Sequence, residues 1–160
     1  MKRYMVVIFL IMSPMLINAV ELSSGNADSF SITKDGFYCS SNITYSWEYA
    51  GNNLEFYEKI KGNIDGIIET NLELLFFEIV ADMESSDLEL KEDGNENWNE
   101  PQLDSLLLER INETIQIKFD ESMKKGLVLN PFESITVKSV NVVIIDFLYS
   151  AYMPTSSCNQ

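Results

Sequence analysis

Between Leu54 and Met83 the apolar residues fall at steps of three and four: Leu54, Tyr57, Ile60, Ile64, Ile67, Ile68, Leu72, Leu75, Phe76, Ile79 and Met83. An α-helix gathers residues so spaced onto one side, because its 3.6-residue turn aligns positions i, i+3, i+4 and i+7. Asn52 and Asn53 stand just before the run and supply capping chemistry. The pattern predicts one long helix, with a break near Asn71 as an option. Such a helix draws most of its stability from packing its apolar side, so the rest of the chain must provide a surface for it. Gly62 and Gly66 lie four apart on it and each weakens it by about 1 kcal/mol relative to alanine. They read as tolerated surface glycines, with close contact to another element as the alternative.

A second stripe follows the same rule. Leu103, Leu107, Ile111, Ile115 and Phe119 form it, Leu106 and Met123 widen it, and Asp104, Glu109, Glu113, Gln116 and Asp120 face away. Asn99 is placed as its N-cap, Pro101 in its first turn, and Lys124, Lys125 and Gly126 at its end.

The remaining regular segments alternate with period two. In "FSITKDGFYCSSNITYSWEYA" the turn residues Lys34, Asp35 and Gly36 separate two β-prone runs, and Ile43, Tyr45, Trp47 and Tyr49 alternate with Thr44, Ser46 and Glu48. That predicts a hairpin whose second strand buries an aromatic face. In "ESITVKSVNVVIIDFLYSAY", Ile135 and Val137 share one alternation while Val140, Val142 and Ile144 share the other, so a bulge falls near Lys138 and Ser139. Val142 to Leu148 has almost no polar face, the pattern of a central strand covered on both sides. Between the helices, Glu84 to Glu100 reads as an acidic, solvated loop. Asp93, Asn95, Asn97 and Asn99 alternate there as calcium ligands do. However, Trp98 stands where a calcium loop needs glycine and Asp104 where it needs glutamate, so no metal site is assigned. The class is therefore α+β: an N-terminal β-hairpin, two long amphipathic helices and a C-terminal strand, forming a small sheet covered by helices.

Met1, Lys2 and Arg3 precede an almost uncharged run, Tyr4 to Val20, that contains Pro14 and ends in Ile17-Asn18-Ala19. This is the layout of a secretory signal cleaved after Ala19, with a retained signal-anchor as the rival reading. The division is then residues 1–19 signal, 20–28 polar leader, 29–152 one α+β domain and 153–160 tail. Loss of the first 19 residues leaves 9 basic residues against 25 acidic, a charge of −16. Nucleic acid and anionic lipid surfaces are poor partners for such a chain, since both are held mainly by Lys and Arg. Membrane contact is expected only if the N-terminal segment is retained. Outside the cytoplasm Cys39 and Cys158 could pair and tie the tail to an early strand; unpaired or intermolecular thiols are the alternative.

Catalytic signatures are missing. The chain has no histidine, which excludes Ser-His and Cys-His nucleophile pairs and imidazole metal sites. Its seven glycines make no phosphate-binding loop. The carboxylates that can be placed lie on exposed helix faces or in the acidic stretch, so no catalytic, cofactor-binding or metal residue is assigned. Two sequons, Asn42-Ile43-Thr44 and Asn112-Glu113-Thr114, are both read as having room for a glycan if the source cell adds one.

The stretch "DGFYCSSNITYSWEYAGNN", then "KIKGNIDGIIETNLELL", "LLLERINETI" and "VKSVNVVIIDFLY", resembles the periplasmic domain of FliL, the flagellar basal-body-associated protein. In that family an early Asp-Gly strand leads to a helix with paired isoleucines, then to a helix resembling "LLERINE" and a last strand of the type "VKDVYFTDF". The resemblance spans Asp35 to Tyr149 and implies an SPFH (stomatin/prohibitin) type of fold without enzymatic activity. It also implies assembly with flagellar stator or basal-body components and with further copies of the chain. Family members are usually held in the inner membrane by one transmembrane helix, whereas the segment here looks cleavable, and the loop between the helices is longer and more acidic. Lys59, Lys61 and Arg110 are the candidate polar contacts on the helices, each with plain solvated charge as the simpler reading. The localisation implied is periplasmic in a bacterium, soluble or anchored, and the secretory pathway in a eukaryote. From other classes, a secreted glycoprotein module similar to SEA domains and a small binder stapled by Cys39 and Cys158 remain alternatives.

Overall fold

The computed structural model describes residues 19–51, 54–92, 95–124 and 134–149. β1 (Ala19–Ile32) and β2 (Phe37–Gly51) form a long antiparallel hairpin. Its turn lies where Lys34, Asp35 and Gly36 predict it. Gly36 takes φ 89°, the left-handed region that glycine enters without a Cβ penalty. Thr33 closes the turn: its N–H donates to Phe37 O at 2.8 Å, and its Oγ1 accepts from Phe37 N–H at 2.9 Å. Asp35 then docks the turn onto the following elements, accepting from Ser85 N–H at 2.9 Å.

Residues 20–28 correct the expectation of a polar leader, since all of them belong to β1. Their Ser, Asn and Gly content argues against a strand on propensity alone, but pairing with β2 overrides it. Ser23, Ala27, Ser29 and Ser31 are buried on the helix side. Being small, they let a helix lie close.

That helix is α1 (Leu54–Ala81), which runs without a break. Asn71 lies within it, its side-chain amide donating to Ile67 O of the same helix at 2.6 Å. The predicted stripe is the buried one: Tyr57, Ile60, Ile64, Ile68, Leu72, Leu75, Phe76 and Ile79 all lie in the core.

The acidic stretch that follows is not a loop. It forms a short helical turn, α2 (Ser85–Leu88), and a small hairpin of β3 (Glu89–Glu92) with β4 (Asn95–Trp98). Leu88 is fully buried, and the Trp98 ring packs 4.6 Å from that of Phe147. Those two apolar anchors organise a segment whose composition alone argues for solvent. The alternation of Asn95 and Asn97 is thus that of a strand. Asp93 lies outside the described residues.

α3 (Glu100–Lys124) begins as its sequence signals predict, with Asn99 O accepting from Gln102 and Leu103 N–H. Leu103, Leu107, Ile111 and Ile115 are buried. The side chains of Gln116, Phe119, Asp120 and Met123 lie outside those described. β5 (Ser134–Tyr149) completes a three-stranded sheet of order β1-β2-β5, antiparallel throughout. Its predicted bulge is at Lys138, where the partner of Ser46 is Ser139 and that of Trp47 is Val137. A second, unforeseen register shift skips Ile145.

Both long helices sit on one side of the sheet, α1 over β1 and α3 over β5. β2 is therefore the central strand, and its Ile43, Tyr45, Trp47 and Tyr49 face the helices. Trp47 Nε1–H donates to Asp65 Oδ1 at 2.6 Å and Tyr45 Oη–H to Asp65 O at 3.2 Å, so the aromatic face is tied to α1 by its polar ends as well. The expectation that Val142 to Leu148 is central and doubly covered is wrong. Among the described residues β5 is an edge strand covered on one face, because both long helices lie on the same side.

Candidate interaction surface

Among the described residues one face of the sheet is uncovered, and strand alternation decides which side chains it carries. While the odd-numbered residues of β1 and β2 turn to the helices, the even ones turn outward. Antiparallel register then sets Ile32, Tyr38 and Leu148 side by side in one row, followed by Phe30, Ser40 and Asp146 and then by Asp28, Asn42 and Val143. Phe30 stacks on Tyr38 with ring centroids 6.2 Å apart. The exposed fractions of Val20 (55%), Leu22 (67%), Phe30 (61%) and Ile32 (49%) on β1 are far above those of core residues. Val143, Ile145 and Leu148 of β5 are exposed as well. The charged groups of this face are Asp28, Glu48 and Asp146, and Glu48 is paired with Lys138 at 3.2 Å.

The two edges of the sheet differ. Along β5, α3 side chains satisfy backbone groups of Val137, Val142 and Ile144. Asn112 behaves like a residue of a neighbouring strand, its Oδ1 accepting from Val137 N–H at 2.9 Å and its Nδ2–H donating to Val137 O at 2.9 Å. Asp104 Oδ1 accepts from Val142 N–H at 2.6 Å and Glu100 Oε1 from Ile144 N–H at 2.9 Å. Burial, the backbone bond from Val142 and the nearby Glu100 all act on Asp104; burial dominates, and its carboxyl pKa is raised above 3.8. Asp104 thus does not face away from the fold as its place in the helical pattern suggested. On the other edge, β2 is the only strand paired with β1 among the described residues. Beside that edge an open notch of about 180 Å³ is lined by Asp28, Ser29, Phe30, Glu73, Leu74 and Phe77. Leu74 and Phe77 are exposed.

The residues singled out from the sequence do not converge. Lys59 and Lys61 lie on α1 and Arg110 on α3, all away from the open sheet face. Lys59 pairs with Glu55 at 2.6 Å one turn earlier, and Lys61 Nζ sits 5.9 Å from the Tyr57 ring centroid. Arg110 is exposed. A groove of about 630 Å³ between α1 and α3 is lined in part by Gly62, Asn63, Gly66, Thr70 and Lys118. Nothing lies within 4 Å of where a Cβ on Gly62 or Gly66 would fall, in keeping with their reading as surface glycines. Cys39 is fully buried opposite Ser31 and Phe147, and burial pushes its thiol up to about 12. Cys158 lies outside the described residues. Asn42 is on the open face, its Nδ2–H donating to Asp28 Oδ1 at 2.8 Å. Asn112, read as free to carry a glycan, has the same nitrogen committed to Leu108 O and Val137 O. A glycan there would break its hold on β5.

What sequence reasoning missed is this edge chemistry. Glu100, Asp104 and Asn112 look like ordinary polar positions of an amphipathic helix, and only the tilt of α3 across β5 brings them to backbone N–H groups. Among the described residues no cluster of three or more metal-binding side chains occurs and no helix is long and apolar enough to cross a membrane. The run from Tyr4 to Asn18 lies outside them. No family model and no curated protein matches the chain.

Proposed function

We propose that this domain is a non-enzymatic, extracytoplasmic protein-interaction and assembly module, serving flagellar stator or basal-body proteins as FliL-like domains do. One observation carries the interaction reading: among the described residues the sheet is covered on one face only, and on the other Ile32, Tyr38 and Leu148 form an apolar row next to Phe30, with Val20 and Leu22 exposed further along β1. Neighbouring exposed apolar side chains bounded by polar groups are characteristic of protein contacts.

The lack of histidine supports the non-enzymatic part. So does the use of Glu100 and Asp104, one helical turn apart, as acceptors for β5 rather than as a free carboxylate pair. The flagellar part draws on the resemblance from Asp35 to Tyr149, on the order of strand, helix, helix and strand, and on the secretory character of residues 1–19. An SPFH-like architecture belongs to the same proposal.

The test is cross-linking in the native cell envelope, with captured proteins identified by mass spectrometry and the mature N-terminus read from the same sample. Recovery of stator or basal-body components is the expected result. A cleaved protein with no flagellar neighbour overturns the flagellar reading and leaves a secreted binding domain with another partner.

A further inference from the structure

The outward row of β1 reads, in order, Val20, Leu22, Ser24, Asn26, Asp28, Phe30 and Ile32. It is symmetric in character about Asn26: two apolar residues, three polar, two apolar. An antiparallel strand paired with a copy of itself about Asn26 would set Leu22 against Phe30 of the second copy and Val20 against its Ile32. Ser24 would face Asp28 of the second copy, so the two Asp28 carboxylates would not meet. On the helix side, Gly25 would face Ala27, Ser23 would face Ser29 and Glu21 would face Ser31 of the second copy, again without like charges opposed. Cross-strand apolar pairs stabilise a sheet and directly opposed like charges weaken it. This register obtains the first and avoids the second.

We infer that two copies of this chain pair through β1, antiparallel about Asn26, to make one six-stranded sheet of order β5-β2-β1-β1-β2-β5. The difference between the edges supports it independently. Natural sheets blunt free edges with lysine, proline, bulges or covering groups. β5 has two register shifts, and three of its N–H groups, those of Val137, Val142 and Ile144, are occupied by Asn112, Asp104 and Glu100. β1 is 14 residues long, holds no Lys or Pro, and has an unshifted register with β2 throughout. The exposed Leu74 and Phe77 overhang this same edge. They would add helix-side contacts to the second copy. A strand copied about a two-fold axis is a closed, isologous contact, which limits the assembly to a dimer rather than a fibre. The inference adds a contact between copies at the β1 edge, distinct from the open face, and rests on the interaction reading above only for the purpose of the contact.

The experiment uses the full chain, purified as its host processes it, in a Cys158→Ser background so that Cys39, which is buried, is the sole native thiol. Asn26→Cys should give a disulfide-linked dimer under mild oxidation, because position 26 faces itself across the axis. Ser24→Cys alone should not, while a mixture of Ser24→Cys and Asp28→Cys chains should. Sedimentation velocity on the unmodified protein should show twice the chain mass. Phe30→Lys should weaken self-association at least about tenfold, equivalent to ~1.4 kcal/mol, with unchanged far-UV circular dichroism. Leu22→Lys is the second variant should the first fail to fold. A protein that stays monomeric into the high micromolar range, or one in which Ser24→Cys cross-links as readily as Asn26→Cys, overturns this interface. Neither result touches the capture of flagellar components from the envelope, so the two proposals fail separately.

Discussion

Asp104 and Asn112 do the same work on β5 with different chemistry, and each makes a prediction. Asp104 takes up a proton more readily in the folded chain, chiefly because it is partly buried, with Glu100 adding to the effect. A carboxyl raised in this way favours the folded state below the unfolded value of 3.8, and that contribution is lost as pH rises through its folded value. Asp35 has the opposite sign. Bonds from Ser85 and then Thr33 hold its carboxyl below 3.8, so its contribution is complete above that value and is lost as pH falls through the folded one. Asp104→Asn keeps an acceptor for Val142 N–H and removes the charge, so urea denaturation at pH 7 should show stability equal to the parent or higher. Asp104→Ala leaves that N–H unpaired and should cost about 1–2 kcal/mol. Equal effects from the two variants would count against the hydrogen bond as the reason Asp104 sits there. Asn112→Ala strands both the N–H and the C=O of Val137 and should cost about 1–3 kcal/mol in the same titration. In a glycosylating host, intact-mass analysis should find Asn42 modified and Asn112 bare. That the second helix exists was legible from its stripe; that three of its polar residues brace a strand was not, because the sequence does not say how the helix crosses the sheet.

At the scale of elements, the central strand of the hairpin shapes its neighbour. The Tyr45 ring lies over Gly25 of β1, its cross-strand partner, and a Cβ added at Gly25 would fall 2.5 Å from Tyr45 Cζ. A large ring laid over a glycine fills the space left by the missing side chain. Gly25→Ala must displace that ring and its bond to Asp65 O, and should lower stability by about 1–3 kcal/mol in a thermal melt. An unchanged melt would mean that Tyr45 has room to swing aside. The small β3–β4 hairpin depends instead on Trp98. Trp98→Ala removes its contact with Phe147, so hydrogen exchange should quicken in β3 and β4 while amides of β2 keep their protection. Uniform loss across the sheet would show that the hairpin is part of the main cooperative unit. The aromatic alternation of β2 and the turn at Gly36 were legible because period and turn chemistry are local. The strand over residues 20–28 was not, since its Ser-rich sequence becomes a strand only by pairing with β2 and lying under α1.

For the whole molecule the dominant global property is charge, −14 on 160 residues. Like charges on a compact body repel one another, and salt screens them, the Debye length falling from about 30 Å at 0.01 M to about 3 Å at 1 M. Thermal stability should therefore rise between those salt concentrations; a flat response would mean that surface repulsion is already balanced locally. The α+β class, the two helices with their buried faces, the hairpin turn and the bulge at Lys138 all follow from the order of residues along the chain. Each of these is written in periodicity or in the conformational limits of a few adjacent residues. How the elements pack sets the rest: both helices share one face, β2 rather than β5 is central, and among the described residues one sheet edge is braced while the other is open. Those outcomes depend on which surfaces meet across separations of 25 residues and more, and local pattern carries no information about that choice.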